Sequence, residues 1–298
     1  MYGAMIGDIV GSKYEFDNIK TKDFPLFSPD CDYTDDSIMT VAVAKAILLR
    51  RETQVRGEAR PLREILIETM QDFGRRYPSP KGSYGSHFAL WLQAAQPAPY
   101  QSYGNGAAMR VSPCGLAAVT LEEALTLARG SAGVSHDHPE GIRGAEAVAA
   151  AIFLAKTGAS KPEIRRYLSE HYYNLDFTPD DIRPSYAFDA SCQGSVPPAV
   201  VCFLDSDSFE DAIRNVISLG GDCDTTGAIT GSIAWTWYAA QSGGAPGPAM
   251  QAVWAQARSY LPAEFTELAD AFRDFCHQRA EAYARTGRYT PISDEAQP

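Results

Sequence analysis

Residues 34–51 read TDDSIMTVAVAKAILLRR, and a segment so apolar around its circumference can fold only inside other structure. As a helix it runs about 27 Å and turns apolar side chains to most sides, with its basic residues held back to the C-terminal end. Such a helix needs apolar neighbours on several faces. The chain supplies them: LREILIETMQDFGRRY (62–77), LEEALTLARGSAGV (121–134), PEGIRGAEAVAAAIFLAKTG (139–158), SFEDAIRNVISLG (208–220) and PAEFTELADAFRDFCHQRAEAYART (262–286) each repeat apolar residues at i, i+3 and i+4. No alternating β-branched run lies between hairpin turns, so strands are not expected. In GAITGSIAW, Gly227 and Gly231 stand about one turn apart and leave room for a neighbouring helix. The reading is all-α: a compact single-domain orthogonal helix bundle spanning 1–298, with about 286–298 as a loose C-terminal tail.

Composition supports that reading and excludes some partners. With 45% hydrophobic and 21% charged residues, the chain can bury a sizeable core. A net charge of −11 argues against nonspecific binding to nucleic acid or an anionic membrane. The six cysteines are scattered without a C-x-x-C pair and read as reduced thiols. The N-terminus meets Asp8 too soon for a signal peptide, and no run approaches about eighteen apolar residues. A cytoplasmic protein is expected. Two stretches break the helical pattern, YPSPKGSYGSHFALWLQAAQPAPYQSYGNGAAMRVSP and YNLDFTPDDIRPSYAFDASCQGSVPP, and loops this long are usually functional or mobile. RRETQVRGEARP reads as a polar surface connection.

Two acidic motifs carry the chemistry. Thr34-Asp35-Asp36 and Asp222-Cys223-Asp224-Thr225 each set two carboxylates and a threonine hydroxyl before a small or apolar helix. Taken singly, each is ordinary capping of free N–H groups and the helix dipole. Taken together, hard oxygen donors of this kind suit Mg²⁺ or Mn²⁺ better than Zn²⁺. Were the four aspartates to converge, each pair about 5 Å apart would cost roughly 3 kcal/mol at an effective dielectric of about 20, and only cations could offset the sum. The Ser102–Gly106 string SYGNG reads as a glycine-rich turn able to offer N–H groups to phosphate, or as a plain loop. His136 and His138 stand just before a helix opened by Pro139, and Glu15 is one glutamate among many.

In order along the chain, GDIVGSKYEF (7–16), YTDDS (33–37), SYGNGAAMRVSP (102–113), SHDHPEGIRGA (135–145), SVPPAVVCFL (195–204) and SLGGDCDTTGAITGSIAW (218–235) resemble the ADP-ribosylglycohydrolase family. The resemblance implies a compact all-α domain with a binuclear metal site of two Mg²⁺ or Mn²⁺. It places metal ligands on Thr34, Asp35, Asp36, Asp222, Asp224 and Thr225. It gives the diphosphate and ribose of ADP-ribose to Ser102, Tyr103, Gly104, Asn105 and Gly106, and puts His136 at the substrate; Ser135 stands where the family signature has threonine. Glu15 falls where the branch that cleaves ADP-ribosyl-serine has its acid/base glutamate, with Asp35 and Asp36 beside it. The implied reaction is hydrolysis at C1″ of ADP-ribose on a modified protein, O-linked (serine-type) preferred. The arginine-specific branch tends to carry an aspartate before its G-N-G turn, and here Ala94 to Tyr103 is uncharged. An arginine-linked hydrolase, a binuclear nucleotide phosphohydrolase and a non-catalytic ADP-ribose-binding relative are the alternatives. A monomer fits a site contained in one chain.

Overall fold

The computed structural model describes residues 1–58 and 60–293. Among them are fifteen α-helices and no β-strand. In chain order they are α1 (Tyr2–Gly11), α2 (Asp35–Val55), α3 (Leu62–Arg76), α4 (Ser86–Gln93), α5 (Gly106–Met109), α6 (Ser112–Ala117), α7 (Leu121–Gly133) and α8 (Pro139–Lys156). There follow α9 (Lys161–His171), α10 (Pro179–Ile182), α11 (Cys192–Leu204), α12 (Phe209–Ile217), α13 (Cys223–Gln241), α14 (Pro248–Ala257) and α15 (Ala263–Thr286).

The innermost pair is α1 and α13. Each is buried along almost its whole length. They touch backbone to backbone, because a Cβ on Gly7 would sit 1.9 Å from the Gly227 carbonyl oxygen and one on Gly3 2.0 Å from that of Gly231. The room expected beside Gly227 and Gly231 is therefore filled by α1, which the periodicity had not marked as a helix. This contact also sets the site: the C-terminal half of α1 carries Asp8, and the N-terminus of α13 carries Asp222 and Asp224.

α2 is the buried helix anticipated, but it runs on to Val55 instead of ending in basic residues at Arg51. Arg51, Glu52 and Gln54 favour helix, and the first breaker is Gly57, with a φ of +75°. The polar connection is thus shorter than expected. The first irregular stretch holds α4, whose Phe88, Trp91 and Leu92 enter the core, and the short turns α5 and α6. The second ends earlier than its prolines suggest, since α11 begins at Cys192, capped by Ser191, and carries Pro197 and Pro198 internally. Proline cannot donate to the carbonyl four residues back. The carbonyl of Gly194 that Pro198 leaves unmatched accepts the Tyr186 hydroxyl instead, at 3.0 Å.

The tail beyond α15 is not loose as far as it is described. Ile292 is fully buried; its N–H donates to Glu123 and its carbonyl accepts from Arg50 Nε. Gln54 donates to the Pro291 carbonyl at 2.7 Å. Residues 294–298 of the expected tail lie outside the described residues. Among the described residues no helix is long and apolar enough to cross a membrane.

Candidate active site

The acidic cluster is built around two helix N-termini. Thr34 caps α2, its hydroxyl accepting from the Asp36 N–H at 3.2 Å. From α1, Asp8 completes the cap: its Oδ2 accepts from the N–H groups of Thr34 and Ser37, both at 3.0 Å, and its Oδ1 accepts the Thr34 hydroxyl at 2.7 Å. The cap holds Asp8 and Asp36 side by side. At α13 the chain must turn sharply before Asp222, and Gly220 and Gly221 do so with φ of +69° and +78°, a left-handed backbone open chiefly to glycine. Asn18 reads this turn with both ends of its amide, Oδ1 accepting from Gly221 N–H at 2.7 Å and Nδ2 donating to the Gly221 carbonyl at 3.1 Å. The same Nδ2 lies 2.6 Å from the Tyr14 carbonyl, so one side chain ties the segment bearing Glu15 to the segment bearing Asp222.

Across the two halves, Thr225 Oγ1 donates to Asp36 Oδ2 at 3.2 Å. Oxygens of Asp8, Asp36 and Asp224 lie within 4.8 Å of one another, and so do those of Glu15, Asp222 and Asp224. Asp224 belongs to both groups. Asp35, expected among the ligands, lines the cavity but is in neither group, and Thr34 sits behind it with its hydroxyl engaged in the cap.

Six carboxyl groups in so little water cannot all ionise. Burial, first, lifts every one. Asp8 rises to about 6 and Glu15 to about 7, with the Asp222 charge adding to the latter. Asp35, Asp36 and Asp224 go well above the carboxylate range, where repulsion from neighbouring aspartates reinforces burial. Asp222 is also raised, although its bonds to Asn105 and Thr225 oppose the effect. Asp36 Oδ1 and Glu15 Oε2 are buried without a hydrogen-bond partner. Orphaned oxygens in a cluster that disfavours its own charge fit a hard divalent cation.

Beside the cluster opens a cavity of about 390 Å³, within the usual range of about 300–1,000 Å³ for small-molecule sites. Its floor is Glu15, Asp35, Asp36, Asp222, Asp224 and Thr225; one wall is Ser102, Gly104, Asn105, Gly106 and His136. Two bridges steady the rim, Thr34 with Lys81 and Gly104 with Ser191. Asn105 joins wall to floor by donating to Asp222 Oδ2 at 2.7 Å and to Ser195 at 2.9 Å. The turn differs from the expected cradle in detail. The Gly104 and Asn105 N–H groups are spent on Ser102 Oγ and the Ala190 carbonyl. Tyr103 is 53% exposed, edge-on to His138, and does not line the cavity. His138 caps α8 by accepting from Glu140 N–H. His136 is buried, and burial together with Arg110 holds its imidazole neutral, well below its ordinary value.

A family model described as ADP-ribosylglycohydrolase matches residues 1–285. The chain belongs to the ADP-ribosylglycohydrolase family. It is therefore a glycosidic-bond hydrolase. The human protein ADP-ribosylhydrolase ARH3 is 24% identical over an alignment covering 79% of this chain and 83% of its own length. ADP-ribosylarginine hydrolase Tri1 of Serratia proteamaculans is also 24% identical, covering 80% of this chain and 70% of its own. Among solved structures, one titled ADP-ribosylglycohydrolase-related protein complex superposes with a TM-score of 0.68 at 22% identity, over 92% of this chain and 95% of that one, which shows a common fold.

Sequence reasoning missed several residues of this ADP-ribosylglycohydrolase site. Asp8 belongs to neither acidic motif, although a lone carboxylate in the glycine-rich, apolar GAMIGDIVG is itself a sign of a buried acid. Arg110 lies inside SYGNGAAMRVSP, where one arginine after a glycine turn gives no sign of burial. The segment from Gly82 to Phe88, with Tyr100 and Phe188, completes the cavity, and nothing local in the sequence announces that.

Proposed function

We propose that this enzyme releases ADP-ribose from O-linked, serine-type targets, using two divalent cations, Mg²⁺ or Mn²⁺. The observation that carries the reading is the convergence, in one cavity, of a buried carboxylate cluster and the Gly104–Gly106 turn with His136. Thr34, Asp35, Asp36, Asp222, Asp224 and Thr225 are the proposed ligands, with Asp8 joining them from beneath. When bound, such ions supply charge neutralisation and Lewis acidity toward hydroxyl and water oxygens.

The chain's own groups do the rest. The turn and His136 hold the diphosphate and ribose away from the reacting carbon, so that binding energy there orients C1″ over the acidic floor. Glu15, a carboxylate grouped with Asp222 and Asp224 at the cavity floor, stands where a group passing protons beside the reacting carbon would be needed. It takes a proton from the attacking water as the bond from C1″ to the serine oxygen breaks. The electron pair of that bond leaves with the oxygen, which receives the proton back from Glu15. Asn18 ties down the backbone beside Glu15, and Gly82 leaves room for its carboxylate, since a Cβ there would lie 2.8 Å from Oε2.

The second reading, arginine-linked ADP-ribose, has its support in the name of the Serratia relative and in Asp137, which brings a carboxylate to Gln101 from another segment. Both its oxygens are engaged by Gln101, at 2.7 and 2.8 Å, and it does not line the cavity, which favours the serine reading. One domain over 1–298, a monomer and a cytoplasmic location complete the proposal. The test uses two peptides of one sequence, modified on serine or on arginine, incubated with enzyme and Mg²⁺, with free ADP-ribose measured. Faster release from serine is expected. Faster release from arginine reverses the linkage, and AMP as product overturns the glycosidic reading.

A further inference from the structure

Among the described residues Arg110 heads the large fully buried side chains, and no carboxylate lies within ion-pair distance of it. Its guanidinium lies over the Phe88 ring, 5.3 Å from the centroid, and Nε has no partner, so the two terminal nitrogens carry its hydrogen bonds. Nη1 donates to the Gly106 carbonyl at 2.8 Å, and Nη2 donates to Ser135 Oγ at 2.9 Å and the Ser131 carbonyl at 3.3 Å. Ser135 is fully buried, and its Oγ lies 2.8 Å from His136 Nδ1. The far nitrogen of that ring, Nε2, faces the cavity between Gly104 and Gly106; a Cβ on these glycines would stand 3.6 and 3.1 Å from it.

We propose that Arg110 and Ser135 form a relay that locks His136 in the Nε2–H tautomer, so that the ring presents a fixed neutral donor to an oxygen of the bound ligand. The direction follows from the donors. A guanidinium can only donate, so Ser135 Oγ accepts from it, and the hydroxyl proton is pushed away from that positive charge. The acceptor beside it is Nδ1, which must then be bare. With Nδ1 protonated, Ser135 would hold two incoming donors and a buried hydroxyl proton with nothing to bond. The same guanidinium pins the Gly106 carbonyl, so the turn and the imidazole are set by one side chain. Arg110 and Ser135 are positioning residues; His136 touches the ligand. That ligand is ADP-ribose if the proposed function holds, but the lock itself does not depend on it.

The test is nitrogen-15 spectroscopy of the imidazoles in the full, chelated chain at neutral pH. His136→Gln assigns its signals among the five histidines. In the wild type Nδ1 should show the shift of a bare acceptor and Nε2 that of a protonated nitrogen; an Nδ1–H tautomer or an imidazolium overturns the proposal. Ser135→Ala should give a mixture of tautomers and, by calorimetry, weaken ADP-ribose binding about five- to tenfold. Ser135→Thr, which keeps the hydroxyl, should restore both. A single Nε2–H tautomer in Ser135→Ala overturns the relay. If Ser135→Ala does not fold, the wild-type spectrum and Ser135→Thr decide alone. Absence of ADP-ribose binding in the wild type supplied with Mg²⁺, with the tautomer as stated, overturns the proposed function and leaves the lock standing.

Discussion

Remove divalent cations from this protein and raise the pH, and the fold should weaken for a reason that can be computed from Asp8. Its folded pKa is about 6 against an ordinary 3.8, and its side chain has no exposure to water that would screen the effect. A group raised on folding favours the native state while protonated, and that advantage is lost as pH climbs through the folded value. The difference of about 2.2, at about 1.4 kcal/mol each, is about 3 kcal/mol, of which nearly half falls between about pH 5 and pH 7.5. Glu15, Asp35, Asp36, Asp222 and Asp224 are displaced the same way and add to it. His136 works in the opposite sense, since a folded value below 6.5 makes acid destabilising, but it does so with or without metal. The decisive quantity is therefore the gap in unfolding free energy between samples with Mn²⁺ and with chelator, by urea melts across that window. It should widen by at least about 1.4 kcal/mol, a tenfold tightening of apparent metal affinity, as protons stop competing for the oxygens. A gap that is absent, or constant with pH, refutes the reasoning.

Three shorter predictions follow the same geometry. Gly7→Ala places a methyl 1.9 Å from the Gly227 carbonyl oxygen; since overpacking in a yielding core costs about 1–3 kcal/mol and backbone yields less, little folded protein should accumulate. A melting temperature within a few degrees of wild type would show that α1 and α13 can separate freely. Glu15→Gln should cut kcat on a serine-linked peptide about 10²- to 10⁴-fold while leaving free ADP-ribose affinity within about threefold, and an equal loss in both would make Glu15 a binding group. Gly106→Val should weaken ADP-ribose in calorimetry, because its first carbon comes 3.1 Å from His136 Nε2; unchanged affinity would remove the turn from the ligand site.

What the sequence determined on its own was local and periodic. The apolar repeat marked the long helices within a few residues, since a face buried against other helices must recur about every 3.6 positions. The Thr34-Asp35-Asp36 and Asp222–Thr225 strings announced oxygen donors at two helix starts, and six short motifs in order pointed to the family. Short or atypical elements escaped: α1 is too rich in glycine to show a stripe, and α11 hides behind Pro197 and Pro198. Only the tertiary structure decided which oxygens meet. Asp8 enters the cluster because glycines let α1 lie against α13, and Asp35 stands outside both oxygen groups although it adjoins Asp36. The neutral state of His136 likewise comes from its burial, with the Arg110 charge beside it. A sequence records donors and periods, whereas distance and burial set pKa and partner, and both are fixed only when helices separated by up to about two hundred residues pack together.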